Sequence, residues 1–67
     1  MLNITVNGSP VEISQSMSID ELLRTVEVPK KYLAVELNDE VVIKEEHTNV
    51  TVNDGDRVEV VTLVGGG

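Results

Sequence analysis

Ser18-Ile19-Asp20-Glu21-Leu22-Leu23-Arg24-Thr25-Val26 is the stretch that decides the fold of this chain. Ile19, Leu22, Leu23 and Val26 recur at i, i+3, i+4 and i+7, which puts them in one apolar stripe along a helix. Ser18 is placed to accept from the backbone N–H three residues on, and Glu21 to reach back, the capping-box pattern. Asp20 and Glu21 also sit where carboxylates meet the positive end of a helix. Pro29 disfavours helix at Val28, which limits the segment to about two to three turns. A helix this short is stable only when its stripe packs on something else.

Strands flank it on both sides. Leu2-Asn3-Ile4-Thr5-Val6 alternates apolar and polar residues, with Leu2, Ile4 and Val6 expected to face inward. Asn7-Gly8 follows, and both residue types accept the positive φ of a type I′ hairpin turn. Val11 and Ile13 then alternate with Glu12 and Ser14, and Pro10 suits the start of an edge strand. Beyond the helix, Leu33-Ala34-Val35-Glu36-Leu37 reads as a strand closed by Asn38-Asp39. Val41-Val42-Ile43 is a short strand leading into Lys44-Glu45-Glu46. Asp54-Gly55-Asp56 marks a turn, with Gly55 supplying positive φ. The last strand is expected from Arg57 to about Leu63. If Val58 and Val60 face the helix, Glu59, Val61 and Leu63 lie on the opposite face.

One helix must therefore cover one face of a mixed sheet, because nothing else is available to bury it. The expected fold is α+β, a mixed sheet of four to five strands in the β-grasp, or ubiquitin-like, arrangement. In it the final strand enters the centre parallel to the first. The expected division is a domain over residues 1–64 and a flexible tail over 65–67.

Composition excludes several functions. With 67 residues the chain forms one domain. There is no cysteine and a single histidine, His47, so zinc and iron–sulfur sites of the Cys/His kind are excluded. Five Lys and Arg against twelve Asp and Glu give a net charge of −7, which repels nucleic acid. Tyr32 is the one aromatic residue, so stacking platforms for single strands are missing as well. No basic stretch followed by an apolar run opens the chain, and apolar runs are too short to span a membrane. A cytoplasmic protein, monomeric when alone, is expected.

Gly65-Gly66-Gly67 carries the chemical signal. Each glycine loses more backbone entropy on ordering than alanine does, by about 0.5–1 kcal/mol, so the triplet is poor material for a packed structure. A bare backbone does pass through a narrow channel where side chains clash. The carboxylate of Gly67 is then a candidate for activation by ATP, with Gly65 and Gly66 threading behind it.

The segment Leu33 to Asn38, the Asp54-Gly55-Asp56 turn, and Val58-Glu59-Val60-Val61 leading to Val64-Gly65-Gly66-Gly67 together resemble the ThiS family, sulfur carriers of thiamine biosynthesis. Many relatives carry Pro-Arg where this chain has Ile43-Lys44, and Trp in place of His47. The resemblance covers the whole chain. It implies a β-grasp fold and adenylation of Gly67 by a ThiF-type adenylyltransferase using ATP and magnesium. It further implies a thiocarboxylate whose sulfur originates from a cysteine desulfurase, and delivery to thiazole synthase (ThiG). The chain would then be a carrier and no enzyme, with no cofactor bound to itself. Two alternatives use the same tail: a ubiquitin-like protein modifier, and a carrier for another pathway such as molybdopterin formation. A third, an interaction module, makes the tail incidental.

Other candidates read more plainly. Val61 and Leu63, with Glu59 beside them, are expected to form a docking patch next to the tail. His47 stands among Glu45 and Glu46 and is expected on the surface. Asp54 and Asp56 lack the spaced oxygen ligands of a calcium loop and are expected to form only a turn. Glu12, Glu36 and Glu59 are expected at outward strand positions, with no deep pocket to make them acid–base groups.

Overall fold

The structure, a computed structural model, describes residues 1–26, 28 and 31–62. Strand β1 (Leu2–Val6) turns back at once into β2 (Ser9–Ile13), in antiparallel register with Ile4 opposite Val11. The turn residues Asn7 and Gly8 have φ of 51° and 81°, the two positive values that a type I′ turn requires. A two-residue strand β3 (Met17–Ser18) leads directly into helix α1 (Ile19–Thr25).

Every early N–H of α1 has a partner. Ser18 Oγ accepts from the Glu21 N–H at 3.1 Å. The Ile19 and Asp20 N–H groups donate to the carbonyls of Val50 and His47 at 3.0 and 2.9 Å. Side-chain capping and tertiary bonds thus fill the positions that a helix start leaves unpaired. On the exposed side Arg24 bonds Asp20, and the hydrogen bond and charge of Asp20 raise the guanidinium above its usual pKa.

The helix ends sooner than its apolar stripe. Val26 has φ −98° and ψ 156°, extended backbone, and caps a helix of seven residues. Thr25 and Val26 are both β-branched and hold helical backbone weakly. Val26 still packs against the core, so the fourth position of the stripe is partly buried at the cap. Pro29, expected to stop the helix, lies outside the described residues.

Strands β4 (Ala34–Leu37) and β5 (Glu40–Val42) form a second hairpin, in which Asn38 and Asp39 take φ of 52° and 72°. Both strands are displaced slightly from expectation: Leu33 lies outside β4, and β5 starts at Glu40 and stops before Ile43. A 3-10 turn at Lys44–Glu46 leads to β6 (Thr51–Val52), which pairs with β3 in a small two-stranded sheet that periodicity did not foretell. Strand β7 (Arg57–Val61) closes the fold. It lies parallel to β1 and antiparallel to β4, in the order β2-β1-β7-β4-β5. This is the expected β-grasp: a mixed sheet with its last strand in the middle and one helix on one face.

The core lies between helix and sheet. Ile19, Leu22, Val35, Val52 and Val58 are essentially sealed from solvent, with Ile4, Val6 and Ile13 around them. Along β7, Val58 and Val60 are buried while Arg57, Glu59 and Val61 are exposed, the alternation expected of a sheet covered on one side.

The expectation for His47 is overturned. Its side chain is buried, at 5% exposure. Nε2 lies 3.1 Å from the Val42 carbonyl oxygen. A carbonyl only accepts, so Nε2 carries the hydrogen. The ring stacks against Tyr32, with centroids 6.3 Å apart. The 3-10 turn leaves Lys44, Glu45 and Glu46 exposed and brings His47 in beneath them, a reversal invisible in a run of polar letters.

Candidate functional site

Strand β7 is held by more than its two neighbouring strands. Past the end of β1, the Asn7 N–H donates to the Val58 carbonyl at 2.9 Å. Asn7 Oδ1 accepts from the Val60 N–H at 2.7 Å, taking the place of the next residue that β1 lacks. At the other hairpin, Asn38 Oδ1 accepts from the Arg57 N–H at 2.9 Å, and the Asn38 N–H donates to the Arg57 carbonyl at 2.7 Å. Asparagine tolerates positive φ and carries an acceptor, so each turn residue serves both as the hinge of its hairpin and as a clamp on β7. The turn before β7 is tied as well. Asp54 Oδ1 accepts from the Asn3 N–H at 2.7 Å, and Asp56 Oδ2 accepts from the Asn53 N–H, also at 2.7 Å. The expectation that the aspartates form only a turn is too narrow: Asp54 ties the turn to β1, and Asp56, besides its local bond, accepts from Asn38 Nδ2 at 3.1 Å.

At its far end β7 meets β4. Val61 stands opposite Ala34, and its carbonyl accepts from the Leu33 N–H at 2.7 Å. Val61 is 36% exposed, on the face away from the helix. Glu59 lies two residues earlier on that face, opposite Glu36, which in turn stands opposite Val41. The register therefore joins Glu59 and Val61 to neighbours that the sequence did not assign to the site. Leu33, Val41 and Ile43 are 67%, 62% and 58% exposed. Together with Val61 they give this end of the face an apolar character, the kind of exposed surface that marks a contact site. The pairing of β4 with β5 and β7 places Val41 and Val61 on this face, and Leu33 and Ile43 are exposed just beyond the ends of β4 and β5. Leu63, Gly65, Gly66 and Gly67, the other expected site residues, lie outside the described residues.

Glu36, Asp39 and Glu59 can each offer a carboxylate oxygen within 4.8 Å of the others. Asp39 already bonds Arg57 at 2.9 Å, and Glu36 and Glu59 face each other directly across the β4–β7 pair. Like charges so placed are locally unfavourable. Glu12 is exposed on β2, away from this trio. Beside β5, an open groove of about 490 Å³ is lined by residues that include Tyr32, Leu33, Val41 and His47. Among the described residues no helix is long and apolar enough to cross a membrane.

Comparison with known proteins agrees with this geometry. Residues 4–67 match the ThiS family. The chain is 34% identical over 65 residues to the sulfur carrier protein ThiS of Bacillus subtilis (strain 168), covering 96% of this chain and 98% of that protein. It is 39% identical over 66 residues to a thiazole synthase of Paramagnetospirillum magneticum, covering 98% of this chain but spanning only 20% of that protein's length. The crystal structure of a thiamine biosynthesis protein, ThiS, from Geobacter metallireducens superimposes with a TM-score of 0.83 at 42% identity. That superposition covers 98% of this chain and all of the other. A family match over nearly the whole sequence and a shared β-grasp fold lead to one statement: this chain belongs to the ThiS family.

Proposed function

We propose that this chain is a sulfur carrier for formation of the thiamine thiazole, with the carboxylate of Gly67 as the carrying group. One observation carries the reading: the end-to-end likeness to the Bacillus subtilis sulfur carrier. The chain acts as a protein co-substrate and not as an enzyme. A ThiF-type adenylyltransferase supplies ATP and magnesium. A Gly67 carboxylate oxygen attacks the α-phosphorus of ATP, pyrophosphate leaves, and an acyl-adenylate forms. A persulfide sulfur then attacks the carbonyl carbon and displaces AMP, and a thiol reduces the S–S bond of the resulting acyl disulfide to leave the thiocarboxylate; free sulfide displaces AMP to give the same product directly. A desulfurase-linked donor provides the sulfur, and thiazole synthase accepts it. The thiazole synthase of Paramagnetospirillum magneticum supports that last partnership, because part of its own chain is similar to this one. The site of action is cytoplasmic.

Each part of the chain has a task in this scheme. Gly65 and Gly66 present no Cβ to the wall of the activating channel. The exposed face of β7, with Glu59 and Val61, docks the partner, and Leu63 takes part in that docking. Its neighbours Leu33 and Val41 add apolar contact area, and the facing Glu36 and Glu59 favour a partner that brings Lys or Arg.

Intact-mass analysis tests this directly. The chain is incubated with a ThiF-type enzyme, ATP, magnesium and a sulfide source. The expected product is heavier by the difference between one sulfur and one oxygen atom, and removal of Gly66 and Gly67 abolishes it. Ladders of higher mass on other proteins would instead identify a protein modifier. An unchanged mass would refute the carrier reading.

A further inference from the structure

The docking face has a charge polarity of its own. The described residues contain two ion pairs, Arg24 with Asp20 and Arg57 with Asp39. Lys31 and Lys44 belong to neither, although acids outnumber bases twelve to five in this chain. Both lysines are exposed and line the same open groove of about 490 Å³. Tyr32 and the buried His47 also line it, stacked on one another. Glu45 follows Lys44 in the 3-10 turn but does not line the groove. Glu40 and Glu46 line a separate hollow of about 300 Å³, which shares only Val41, Val42 and Ile43 with the lysine groove. Strand β5 thus divides a cationic groove from an acidic hollow. Leu33, Ala34 and Val41 make the groove continuous with the apolar end of the β7 face.

We propose that the Lys31–Lys44 groove receives an acidic segment of the activating enzyme, which sets the orientation in which this chain docks. The inference rests on the carrier reading above and adds a partner chemistry to it. Charge complementarity selects the occupant: on a surface of net charge −7, two lysines on one concavity are the place where a partner's Asp or Glu side chains are attracted. Glu36 and Glu59, on the same face, favour Lys or Arg. The face therefore reads as a dipole with an apolar centre, and a partner turned end for end would set like charges against like. Such an arrangement fixes orientation and suppresses wrong partners more than it adds raw affinity.

The test measures adenylation kinetics of the full chain with a ThiF-type enzyme. The variants are Lys31→Glu, Lys44→Glu, the double reversal, and the double Lys→Arg replacement. Arg24→Glu, on the helix and off this face, is the control with the same charge change as either single reversal. Far-UV circular dichroism establishes that each variant is folded. The double reversal is expected to raise the KM for the carrier by about threefold to tenfold, a rim-charge effect, with kcat unchanged. The Lys→Arg pair should keep the original KM, and Arg24→Glu should move it less than either single reversal does. A KM for the double reversal equal to that of the control overturns the groove assignment and leaves the carrier reading intact. Absence of adenylation in the unmodified chain overturns both.

Discussion

Asn7 offers the sharpest test of how this fold is held. Its carboxamide oxygen is the acceptor for the Val60 N–H at 2.7 Å, at a point where β1 has already ended. Val60 is only 6% exposed, so losing the acceptor strands a donor with little water nearby. A buried donor left unpaired costs about 1–3 kcal/mol. Asn7 also sits at φ 51°, in the left-handed region. Residues with a Cβ occupy that region at a cost of about 1–2 kcal/mol, which asparagine partly avoids and glycine escapes. Three substitutions separate the two roles. Asn7→Asp keeps an acceptor and tolerates the φ, so it should melt near the unmodified protein. Asn7→Gly removes the acceptor, and the strain that glycine relieves at this φ is offset by about 0.5–1 kcal/mol of added freedom in the unfolded chain. Asn7→Ala removes the acceptor and adds strain, for about 2–5 kcal/mol in all. A domain of 67 residues has about 3–10 kcal/mol of stability, so the alanine variant should lose a large share of it. The assay is thermal and urea unfolding followed by circular dichroism. For a domain this small each kcal/mol moves the midpoint by about 4–8 °C, and Asn7→Gly should therefore fall by at least about 4 °C. If Asn7→Gly melts with the unmodified protein, the carboxamide clamp contributes nothing. If Asn7→Asp falls as far as Asn7→Gly, the acceptor assignment is wrong.

Other perturbations address the core, the buried histidine and the docking face. Leu22→Ala empties a fully buried position and should cost about 2–5 kcal/mol, read as a lower urea midpoint with little change in slope. His47→Ala removes the donor to the Val42 carbonyl and the stack on Tyr32; a loss of about 1–3 kcal/mol is expected, whereas a surface histidine would lose almost nothing. Val61→Asp should slow adenylation while leaving the melting temperature nearly unchanged, because Val61 faces solvent; a normal rate would remove Val61 from the docking surface.

Much of the architecture was legible because its signals are local. Ser18 and Glu21 mark the helix start, and Asn7-Gly8, Asn38-Asp39 and Gly55 take the positive φ that their turns need. One helix covering one sheet gave the layers, while the central place of β7 came only with the β-grasp arrangement and was written in no single strand. The pairing of Met17–Ser18 with Thr51–Val52 escaped, because a two-residue strand is too short to display any period. His47 escaped for a different reason. Its burial depends on a 3-10 turn and on partners at Val42 and Tyr32, none of which is written in the polarity of its neighbours. The site divides the same way. Alternation along one strand placed Glu59 and Val61 outward, while Val41 joined them only through the register of three strands, and Leu33 and Ile43 stand exposed just outside β4 and β5. Leu63 and the glycines were chosen for their chemistry, and their positions lie outside the described residues.

The clamps on β7 and the proposed chemistry of Gly67 answer one physical requirement. A carrier must present its end group in a partner's channel while the rest of the chain is gripped elsewhere, so the connection between grip and end group has to be short. Strand β7 supplies that connection. It is paired on both sides, by β1 and β4, and fastened by Asn7 and Asn38 from two hairpin turns. Its last residue, Val61, is bonded through its carbonyl to Leu33. The exposed apolar residues Leu33 and Val61 therefore stand at the point from which the chain continues toward Gly67. Docking energy gathered there acts about six residues from the proposed reacting carboxylate, within about 20 Å even when the backbone is fully extended. A docking patch at the β2 edge would be separated from that carboxylate by the width of two further strands, with correspondingly less control over where the end group goes.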